Sequence, residues 1–371
     1  MRVFTWFAAA LCAVLVSAPL AASPLYTVTA LGDVEPRAIN AGGQVTGDSR
    51  LSSGYVHAFR WTNGTTEDLG TLGGAQSQAF AINRSGIVAG AADTSTIGIF
   101  GVQDVHAAVW DAAGIHDLGT LGGPWSWGQG INNLGRAVGS AEIADWPYTQ
   151  HAFLWDSAGG MRDLGTLQPG GGSCATGIND SGLIVGLAFP TPATEKRACY
   201  WDNGGIHALD LLPGYAGSDA QAVNDAGLIV GNHTWLSTAG GEHTAERATL
   251  WDRNGAHDLG TLGGAESMAY AINSLGQIVG TSQTGSLTYF SDAFLFQDGV
   301  MYNLNDLVPD DFDWKLVQAL GINDNGQIVA LGRNAQLGEA FLLTPVPEPS
   351  SLLALLCGLG GMAGIIRYRR R

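Results

Sequence analysis

Basic residues are scarce in this 371-residue sequence: 17 lysines and arginines stand against 33 aspartates and glutamates, for a formal net charge of −16. Nucleic-acid binding depends largely on basic side chains that contact phosphates. The charge balance therefore argues against a nucleic-acid partner. It is compatible with a soluble exported protein, or with one that meets cations.

Cysteine is also scarce, with four residues in the chain. Cys12 and Cys357 lie in apolar terminal segments, which leaves Cys174 and Cys199. Neither a C-x-x-C pair nor a Cys/His cluster with zinc spacing occurs, so the common zinc motifs are excluded. The repeat described below separates Cys174 from Cys199 by two strand spacings, roughly 9–10 Å. This exceeds the reach of a disulfide, and two free buried thiols are expected.

Long apolar runs are missing as well, since no run reaches the about 20 residues that a membrane-spanning helix needs. Arg2 precedes an apolar stretch at 3–16 and small residues at 17–23. A basic start, a short apolar core and small residues before a break are typical of a secretory signal peptide, here residues 1–23. At the other end, a 15-residue apolar run, 352–366, is followed by a cluster of arginines.

Glycine is abundant, in contrast, and much of it lies in a unit that repeats along the middle of the chain. A small residue, Ile or Val, Asn, two variable residues and Gly form a motif that occurs seven times, 43 to 50 residues apart. A stretch resembling HAFLW follows each motif, and D-L-G-T-L-G-G recurs at 68–74, 117–123 and 258–264. A period of this size with four strands per unit is typical of a propeller blade. The motif asparagines are Asn40, Asn83, Asn132, Asn179, Asn224, Asn273 and Asn323.

The motifs also predict the order of strands within a unit. In AINSLGQIVG, at 271–280, two apolar runs flank a turn that opens with Asn and closes with Gly, which predicts a hairpin. Ser77, Ala79 and Ala81 alternate with larger residues. Small side chains on one face let backbones pack closely, as strands near a propeller axis must. We therefore expect this strand to be innermost and the D-L-G-T-L-G-G strand to be outermost.

The strand count predicts how the chain closes. There are seven innermost strands and seven HAFLW-like strands, but six outermost strands. Segment 26–33 can supply the missing strand, complete the last blade and remove an open sheet edge. The sequence thus predicts an all-β fold, a seven-bladed β-propeller of four-stranded blades over residues 24–345, closed by the N-terminal strand. An open β-solenoid is the alternative.

The repeats resemble the extracellular HAF-repeat family through the tripeptides at 57–59 and 151–153, and the resemblance extends over residues 26–343. It weakens in the last two units, where Asp292 and Glu339 replace the histidine. The resemblance implies an exported location and no settled activity.

The tail, residues 346–371, combines V-P-E-P, an apolar helix at 351–366 and a basic end. This order resembles the PEP-CTERM sorting signal of Gram-negative bacteria. The resemblance implies that an exosortase, a membrane enzyme, recognises Pro347, Glu348 and Pro349 and removes the helix, in a host that produces exopolysaccharide and biofilm. Because the helix is short and rich in glycine, we expect a transient inner-membrane intermediate before release to the cell surface or exterior. A permanent single-pass anchor is the alternative.

Most residues with reactive side chains recur at the same place in several units, and a catalytic site is needed only once. His57 and His151 recur in this way, as do Asp68 and Asp163, so we expect them to make scaffold hydrogen bonds. No G-x-S-x-G nucleophile elbow is present. The recurring tryptophans, which we expect to pack between blades, are Trp61, Trp110, Trp155, Trp201 and Trp251.

The connections between the second and third strands vary from unit to unit, and in a propeller they share one face with the connections between blades. Aromatic platforms beside carboxylates suit sugar rings, whose apolar faces stack and whose hydroxyls form hydrogen bonds. Alternatively, these tryptophans only cover the ends of the blades. The candidate binding face comprises Trp125, Trp127, Trp146, Tyr148, Trp235 and Tyr289.

The sequence therefore predicts a non-catalytic exported protein of the cell surface or extracellular matrix, which binds exopolysaccharide or a surface protein on that face. The second hypothesis is an extracellular glycan-active enzyme, a hydrolase or lyase, because paired carboxylates can perform glycoside hydrolysis. No cofactor is expected. Calcium is left open, because acidic side chains suit it although no D-x-D-x-D-G loop occurs.

Overall fold

The computed structural model describes residues 25–98, 101–144, 149–189, 195–235, 245–285, 291–334 and 338–347. These ranges contain 28 strands and one short 3-10 helix. The predicted signal peptide, 1–23, and the predicted membrane helix, 351–366, lie outside the described residues. Inside the described ranges, no helix combines the length and apolar character needed to cross a bilayer.

The strands form seven repeat units in chain order, and neighbouring strands within each unit are antiparallel. Unit one contains β2 (Val34–Ile39), β3 (Val45–Arg50), β4 (Val56–Thr62) and β5 (Thr65–Asp68). Unit two contains β6 (Gly73–Ile82), β7 (Val88–Ile97), β8 (Gln103–Asp111) and β9 (Gly114–Asp117). Unit three contains β10 (Gly122–Ile131), β11 (Ala137–Ile143), β12 (Gln150–Asp156) and β13 (Gly160–Asp163).

The remaining units follow the same plan. Unit four contains β14 (Gly172–Ile178), β15 (Ile184–Phe189), β16 (Arg197–Asp202) and β17 (Gly205–Ala208). Unit five contains β18 (Gly217–Val223), β19 (Ile229–Trp235), β20 (Ala245–Asp252) and β21 (Gly255–Asp258). Unit six contains β22 (Ser267–Ile272), β23 (Ile278–Gln283), β24 (Ser291–Gln297), β25 (Val300–Asn303) and the 3-10 helix (Leu304–Asp306). Unit seven contains β26 (Lys315–Ile322), β27 (Ile328–Arg333) and β28 (Gly338–Pro345), together with β1 (Tyr26–Gly32).

The hydrogen-bonded sheets correct the prediction of seven separate blades. In the described part of the chain, five sheets have four strands each, and a sixth has eight because units two and three are joined. The join is one parallel pair, Trp125 of β10 with Val105 of β8. It forms because β8 and β10, at nine and ten residues, extend further than the corresponding strands of most other units. Only five blades are therefore independent sheets.

A ring of asparagine hydrogen bonds closes the repeat. In each unit the motif asparagine donates its side-chain Nδ2 to the main-chain carbonyl of the next motif asparagine, at 2.9 to 3.1 Å. The last of these bonds runs from Asn323 back to Asn40. Strand β1 pairs with β28, from Tyr26 opposite Pro345 to Gly32 opposite Ala340. Closure by the N-terminal strand is thereby confirmed, and an open solenoid is excluded.

The same asparagines also order the hairpin between the first two strands of each unit. In unit two, Asn83 Oδ1 accepts hydrogen bonds from the N–H groups of Ser85 and Ile87, both at 3.0 Å. Gly86 closes the turn with a φ of +79°, which favours glycine. Each motif asparagine therefore accepts hydrogen bonds from the N–H groups of its own turn and donates one to the next unit. These contacts explain why all seven asparagines are buried.

Each innermost strand carries a β-bulge three residues before its asparagine. In β6, Ala79 pairs with Gly90 and Ala81 with Ala89, so Phe80 has no partner on β7. A Cβ on Gly90 would lie 1.9 Å from the carbonyl oxygen of Gln78, which excludes any larger residue. In units one to six a glycine at this position thus leaves room for the strand opposite it, whereas unit seven carries Ala330 opposite its bulge. The bulged residues, which we call the bulge ring, are Arg37, Phe80, Gln129, Thr176, Gln221, Tyr270 and Leu320.

The strand with small residues is innermost, as predicted. The prediction that the whole D-L-G-T-L-G-G segment forms the outermost strand is wrong. The outermost strand ends at the aspartate of the motif, and the residues after it lead into the next unit, where the last two glycines of 68–74 and 117–123 begin β6 and β10. Asp68 Oδ1 accepts the Gly70 N–H at 2.9 Å, and Gly70 has a φ of +73°, which ends the strand. Ser77 Oγ then donates to the Gly70 carbonyl and accepts the Ala58 N–H, which ties unit two to unit one.

The recurring tryptophans pack between units, as expected. Trp110, Trp201 and Trp251 are 2% exposed, and Trp61 is 7% exposed, whereas Trp155 is half-buried. Trp251 Nε1 donates to the carbonyl of Asp210, in the connection that follows unit four, at 2.8 Å. The indoles therefore fill the space between neighbouring blades, and those of Trp201 and Trp251 also hydrogen-bond across it.

Candidate functional site

The structure places the predicted binding-face residues at different points. Trp125 and Trp127 lie two positions apart in β10 and are half-buried. Trp235 ends β19 in unit five and is 56% exposed. Trp146, Tyr148 and Tyr289 lie outside the described residues, as do Glu348 and Pro349 of the sorting signal, whereas Pro347 is described and exposed. That the six aromatic residues form one surface stays a prediction.

Trp127 lines a groove that crosses the first three units at the end of the ring opposite the asparagines. The groove consists of two adjoining cavities of about 260 and 180 Å³ that share Val56 and Gln78. We call it the unit 1–3 groove. Its lining does not include Trp125 or Trp235. The lining residues are Asp33, Val34, Glu35, Arg37, Asp48, Arg50, Val56, Gln76, Ser77, Gln78, Ala91, Ala92, Asp93, Val105 and Trp127.

Asp48 organises the floor of the groove. The carboxylate is 4% exposed, and its Oδ2 accepts hydrogen bonds from Arg37 Nη2 at 2.7 Å and from Gln78 Nε2 at 3.3 Å. Its Oδ1 accepts the Ala79 N–H of the next unit at 3.2 Å. The Arg37 guanidinium also lies over the Phe80 ring, 4.9 Å from its centroid. The charge of Asp48 is thus matched, and the ion pair holds units one and two in register.

Asp93 is another carboxyl group in the groove, and its environment differs from that of Asp48. It is half-buried, and its Oδ2 accepts the Gln76 N–H at 3.0 Å. Burial raises the pKa of this carboxyl, and the backbone hydrogen bonds from Gln76 and Ala75 offset only part of that effect. Asp93 thus lies in the same groove wall as the Trp127 indole and the Gln76 and Gln78 amides.

A second polar cluster, which the sequence analysis missed, lies in unit five. Asp219 is 3% exposed and pairs with Lys196 Nζ at 2.6 Å. Gln221 Nε2 and Asn232 Nδ2 both donate to Asp219 Oδ1. Burial raises the pKa of the nearby Glu246 carboxyl, helped by Asp219, while Lys196 opposes the shift. The available signal was that Asp219 stands where other units carry Gln78, Trp127 or Met268.

The recurring histidines make the scaffold contacts that their repetition predicted. His57 Nδ1 lies 2.8 Å from Asp68 Oδ1, and His151 Nδ1 lies 2.8 Å from Asp163 Oδ2. Each pair joins the third strand of a unit to the fourth. In unit five, Arg247 takes the place of the histidine and pairs with Asp258 at 3.0 Å. These pairs therefore stabilise strand pairing.

Cys174 and Cys199 are both free, as predicted. Burial raises the pKa of the Cys174 thiol to about 11 and raises that of Cys199 as well, so neither is poised as a nucleophile. As for metals, no group of three or more His, Cys, Asp or Glu among the described residues could hold an ion.

The ring surrounds a central channel with two compartments of about 250 and 290 Å³. Both are lined by the apolar residue before each asparagine, six isoleucines and Val223, so this apolar ring lies between them. The smaller compartment contains the asparagine ring, and the larger contains the bulge ring. The bulges thus place seven side chains in the channel at the level of the innermost strands.

Comparisons with known proteins agree with the fold and leave the activity open. Residues 206–339 match the model of a family described as a protein of unknown function, DUF3466. No match was found among curated proteins. A puromycin-hydrolyzing peptidase from Mycobacterium tuberculosis superposes with a TM-score of 0.52 at 11% identity, over 84% of this chain and 52% of that one. This chain therefore spans about half the length of that peptidase, and the likeness shows the β-propeller fold alone.

Two further solved structures are similar at lower scores. The β-propeller domain of the Trilobed protease from Pyrococcus furiosus gives a TM-score of 0.49 at 10% identity, over 73% of this chain and 83% of that one. A mutant of AofleA from Arthrobotrys oligospora gives 0.40 at 14% identity, over 75% and 88% of the two chains.

Proposed function

We propose that this protein is an exported, non-catalytic carbohydrate-binding propeller of the cell surface or extracellular matrix, and that the unit 1–3 groove is its binding site. The observation that carries the proposal is the position of the half-buried Trp127 indole beside Asp93, Gln76 and Gln78 in one groove. An indole offers an apolar face to a sugar ring, and amide and carboxylate groups bind the hydroxyls around that ring.

The contrast with the other tryptophans supports this role for Trp127. The recurring indoles are largely buried between units, and Trp251 also has its N–H bonded to a main-chain carbonyl. Trp127 lies instead on an innermost strand, at a place that Gln78, Cys174 and Asp219 occupy in other units. The fold therefore does not require an indole there, and its partial exposure leaves a face for a ligand.

The carboxylates of the groove favour binding over hydrolysis. Glycoside hydrolysis commonly uses two carboxyl groups about 5–10 Å apart, one of which must act as acid or base. Asp48 is held by Arg37, Gln78 and a backbone N–H, so it has little freedom to take that role. In the cavity that Trp127 lines, Asp93 is the one carboxyl group among the described residues, and the exposed Asp33 and Glu35 line the other cavity. A glycan-active enzyme remains the alternative that the experiment below must exclude.

The chain leaves the last strand at the end of the ring that is opposite the groove. β28 ends beside the asparagine end of the ring, where Gln327 Nε2 lies 3.3 Å from Thr344 Oγ1, and Val346 N–H bonds to the Leu25 carbonyl at 2.8 Å. The groove lies at the opposite end of the strands. Until an exosortase removes the tail, as its resemblance to a PEP-CTERM signal suggests, the groove would therefore face away from the membrane.

The test is a glycan-array screen of the whole protein, followed by titration of the best neutral and acidic oligosaccharides. We expect saturable binding without turnover, and loss of most affinity in Trp127→Ala. Tyr302→Ala is the matched control, because Tyr302 is an exposed aromatic residue on an outermost strand away from the groove. Binding that survives Trp127→Ala, or cleavage of a bound glycan, would overturn the proposal.

A further inference from the structure

The bulge ring is a position on the innermost strands at which the residue type differs from unit to unit. The residues that follow each bulge are Ala or Gly, then Ile or Val, then Asn in every unit. At the bulge itself, seven units use six residue types, from Arg37 to Leu320. Scaffold packing therefore specifies the neighbours of this position, but it does not specify the side chain that enters the channel.

In six of the seven units the bulge stands opposite a glycine that has no room for a side chain, and unit seven has Ala330 there. A Cβ on Gly139 would lie 1.8 Å from the Trp127 carbonyl oxygen, and the corresponding glycines of units one, two, four, five and six are equally close to a carbonyl. Bulges often serve to redirect a side chain and are frequent beside functional sites. Here they direct one side chain per unit into the larger channel compartment.

Polar side chains line the larger channel compartment, but none of them carries an unpaired charge. No aspartate or glutamate lines it, and its one cation, Arg37, is paired with Asp48. Phe80 and Tyr270 provide half-buried ring faces. Burial raises the pKa of the Tyr270 hydroxyl to about 12, so this group stays a neutral phenol at physiological pH. An ionic ligand would find no partner charge there.

Hydrogen-bonding groups lie among these rings. Among the described residues, the Gln129 amide has no protein partner, so both its donors and its acceptor are open to the channel. Thr176 Oγ1 donates to the Ala220 carbonyl at 2.8 Å and keeps its lone pairs for a ligand donor. A molecule bound here must therefore combine an apolar face with several hydroxyl-type groups.

We propose that the larger channel compartment is a second binding site, which takes a single uncharged sugar ring. Its volume of about 290 Å³ lies at the small end of the range for ligand sites, which suits one ring better than a chain. The site shares only Arg37 with the unit 1–3 groove, so it does not depend on glycan binding in that groove.

The test is titration of the whole protein with methyl pyranosides of glucose, galactose and mannose, observed by saturation-transfer NMR and calorimetry. Methyl glucuronide is the charged counterpart. We expect saturable binding of at least one neutral glycoside and a Kd at least about tenfold weaker for the glucuronide, since its carboxylate would be desolvated without a partner.

Substitutions of channel residues test whether the glycoside binds in the larger channel compartment. In a Trp127→Ala background, which removes binding at the groove, Gln129→Leu should raise the Kd about tenfold through the loss of hydrogen bonds, while the exposed-surface control Leu275→Gln should leave it unchanged. Thermal melting of each variant verifies folding, and Thr176→Val serves as a second channel variant if Gln129→Leu is destabilised. Binding of none of the three neutral glycosides, equal binding of the glucuronide, or unchanged binding in both channel variants would overturn the proposal.

Discussion

The side-chain amide of Asn323 donates to the main-chain carbonyl of Asn40 at 2.9 Å, across 283 positions of the sequence. This bond completes the asparagine ring, and β1 completes the last sheet beside it. The ring is therefore closed twice, once at the channel and once at the outer edge of unit seven. The two closures use different physical means, one polar contact between buried groups and one strand pairing.

We expect Asn323→Ala to lower the free energy of unfolding by about 2–3 kcal/mol, because the N–H groups of Asn325 and Gln327 lose their side-chain acceptor and the Asn40 carbonyl keeps only the Gly43 N–H. Asn325→Ala is the control, since the Asn325 amide bonds to the Ala41 carbonyl at an exposed site. Urea denaturation of both variants measures the difference. Equal losses would mean that the asparagine ring is not a special contributor to stability.

Gly139→Ala should cost about 3 kcal/mol or more, because the added Cβ would overlap the Trp127 carbonyl and the bulge cannot move without shifting the neighbouring unit. Gly135→Ala is the matched comparison: Gly135 has a φ of +74° but open space around it, so it should cost only about 1–2 kcal/mol. Thermal denaturation compares the two. A larger loss in Gly135→Ala would show that backbone conformation outweighs the close approach.

His233 should make stability depend on pH. Its Nε2 accepts the Leu212 N–H at 3.0 Å and its Nδ1 faces Thr249 Oγ1 at 2.8 Å, so the buried ring is held neutral. Burial lowers its pKa from 6.5 to about 4. Between these values the unfolded chain binds more protons than the folded one, so stability falls as pH drops from about 6.5 to 4.

The total effect is about 3 kcal/mol, and His233→Gln should abolish this part of the pH dependence. Subtracting the unfolding free energies of variant and wild type at each pH cancels the contribution of the carboxyl groups. At pH 7.5 the difference then reflects only the altered packing and hydrogen bonds. A difference that stays constant from pH 7.5 to 4.5 would contradict the prediction.

The tail resemblance predicts processing in the native host. The mature protein should lack residues beyond about 349, and Glu348→Ala should leave an uncut, membrane-associated form, because a processing enzyme that reads P-E-P would lose the charge at its centre. Intact-mass analysis of the exported protein and of the membrane fraction measures both. Asp324→Ala, which alters a carboxylate on the ring, is the control. Recovery of residues 352–371 in the exported wild-type protein would favour a lasting anchor.

The features that could be predicted from the sequence are those with local causes. Asn83 and Gly86 identify a hairpin turn because the asparagine accepts hydrogen bonds from its own turn and glycine tolerates positive φ. Ser77 and Ala79 identify an innermost strand by their size, and both are buried there. Segment 26–33 could be assigned to the last unit because an incomplete set of outer strands leaves an edge that needs a partner.

The features that only the tertiary structure decided depend on contacts between distant residues. A bulge adds one residue to a strand, and Phe80 or Gln129 is unremarkable as a residue type, so only the register against β7 or β11 identifies it. Only the structure likewise shows that Trp125 pairs with Val105 to join units two and three, and that Asp219 forms an ion pair with Lys196. Sequence periodicity determined the ring and its repeated scaffold, because each unit repeats the same local interactions. Register and ring closure decided which variable side chains meet in the groove and channel, because those contacts exist only once the units are assembled.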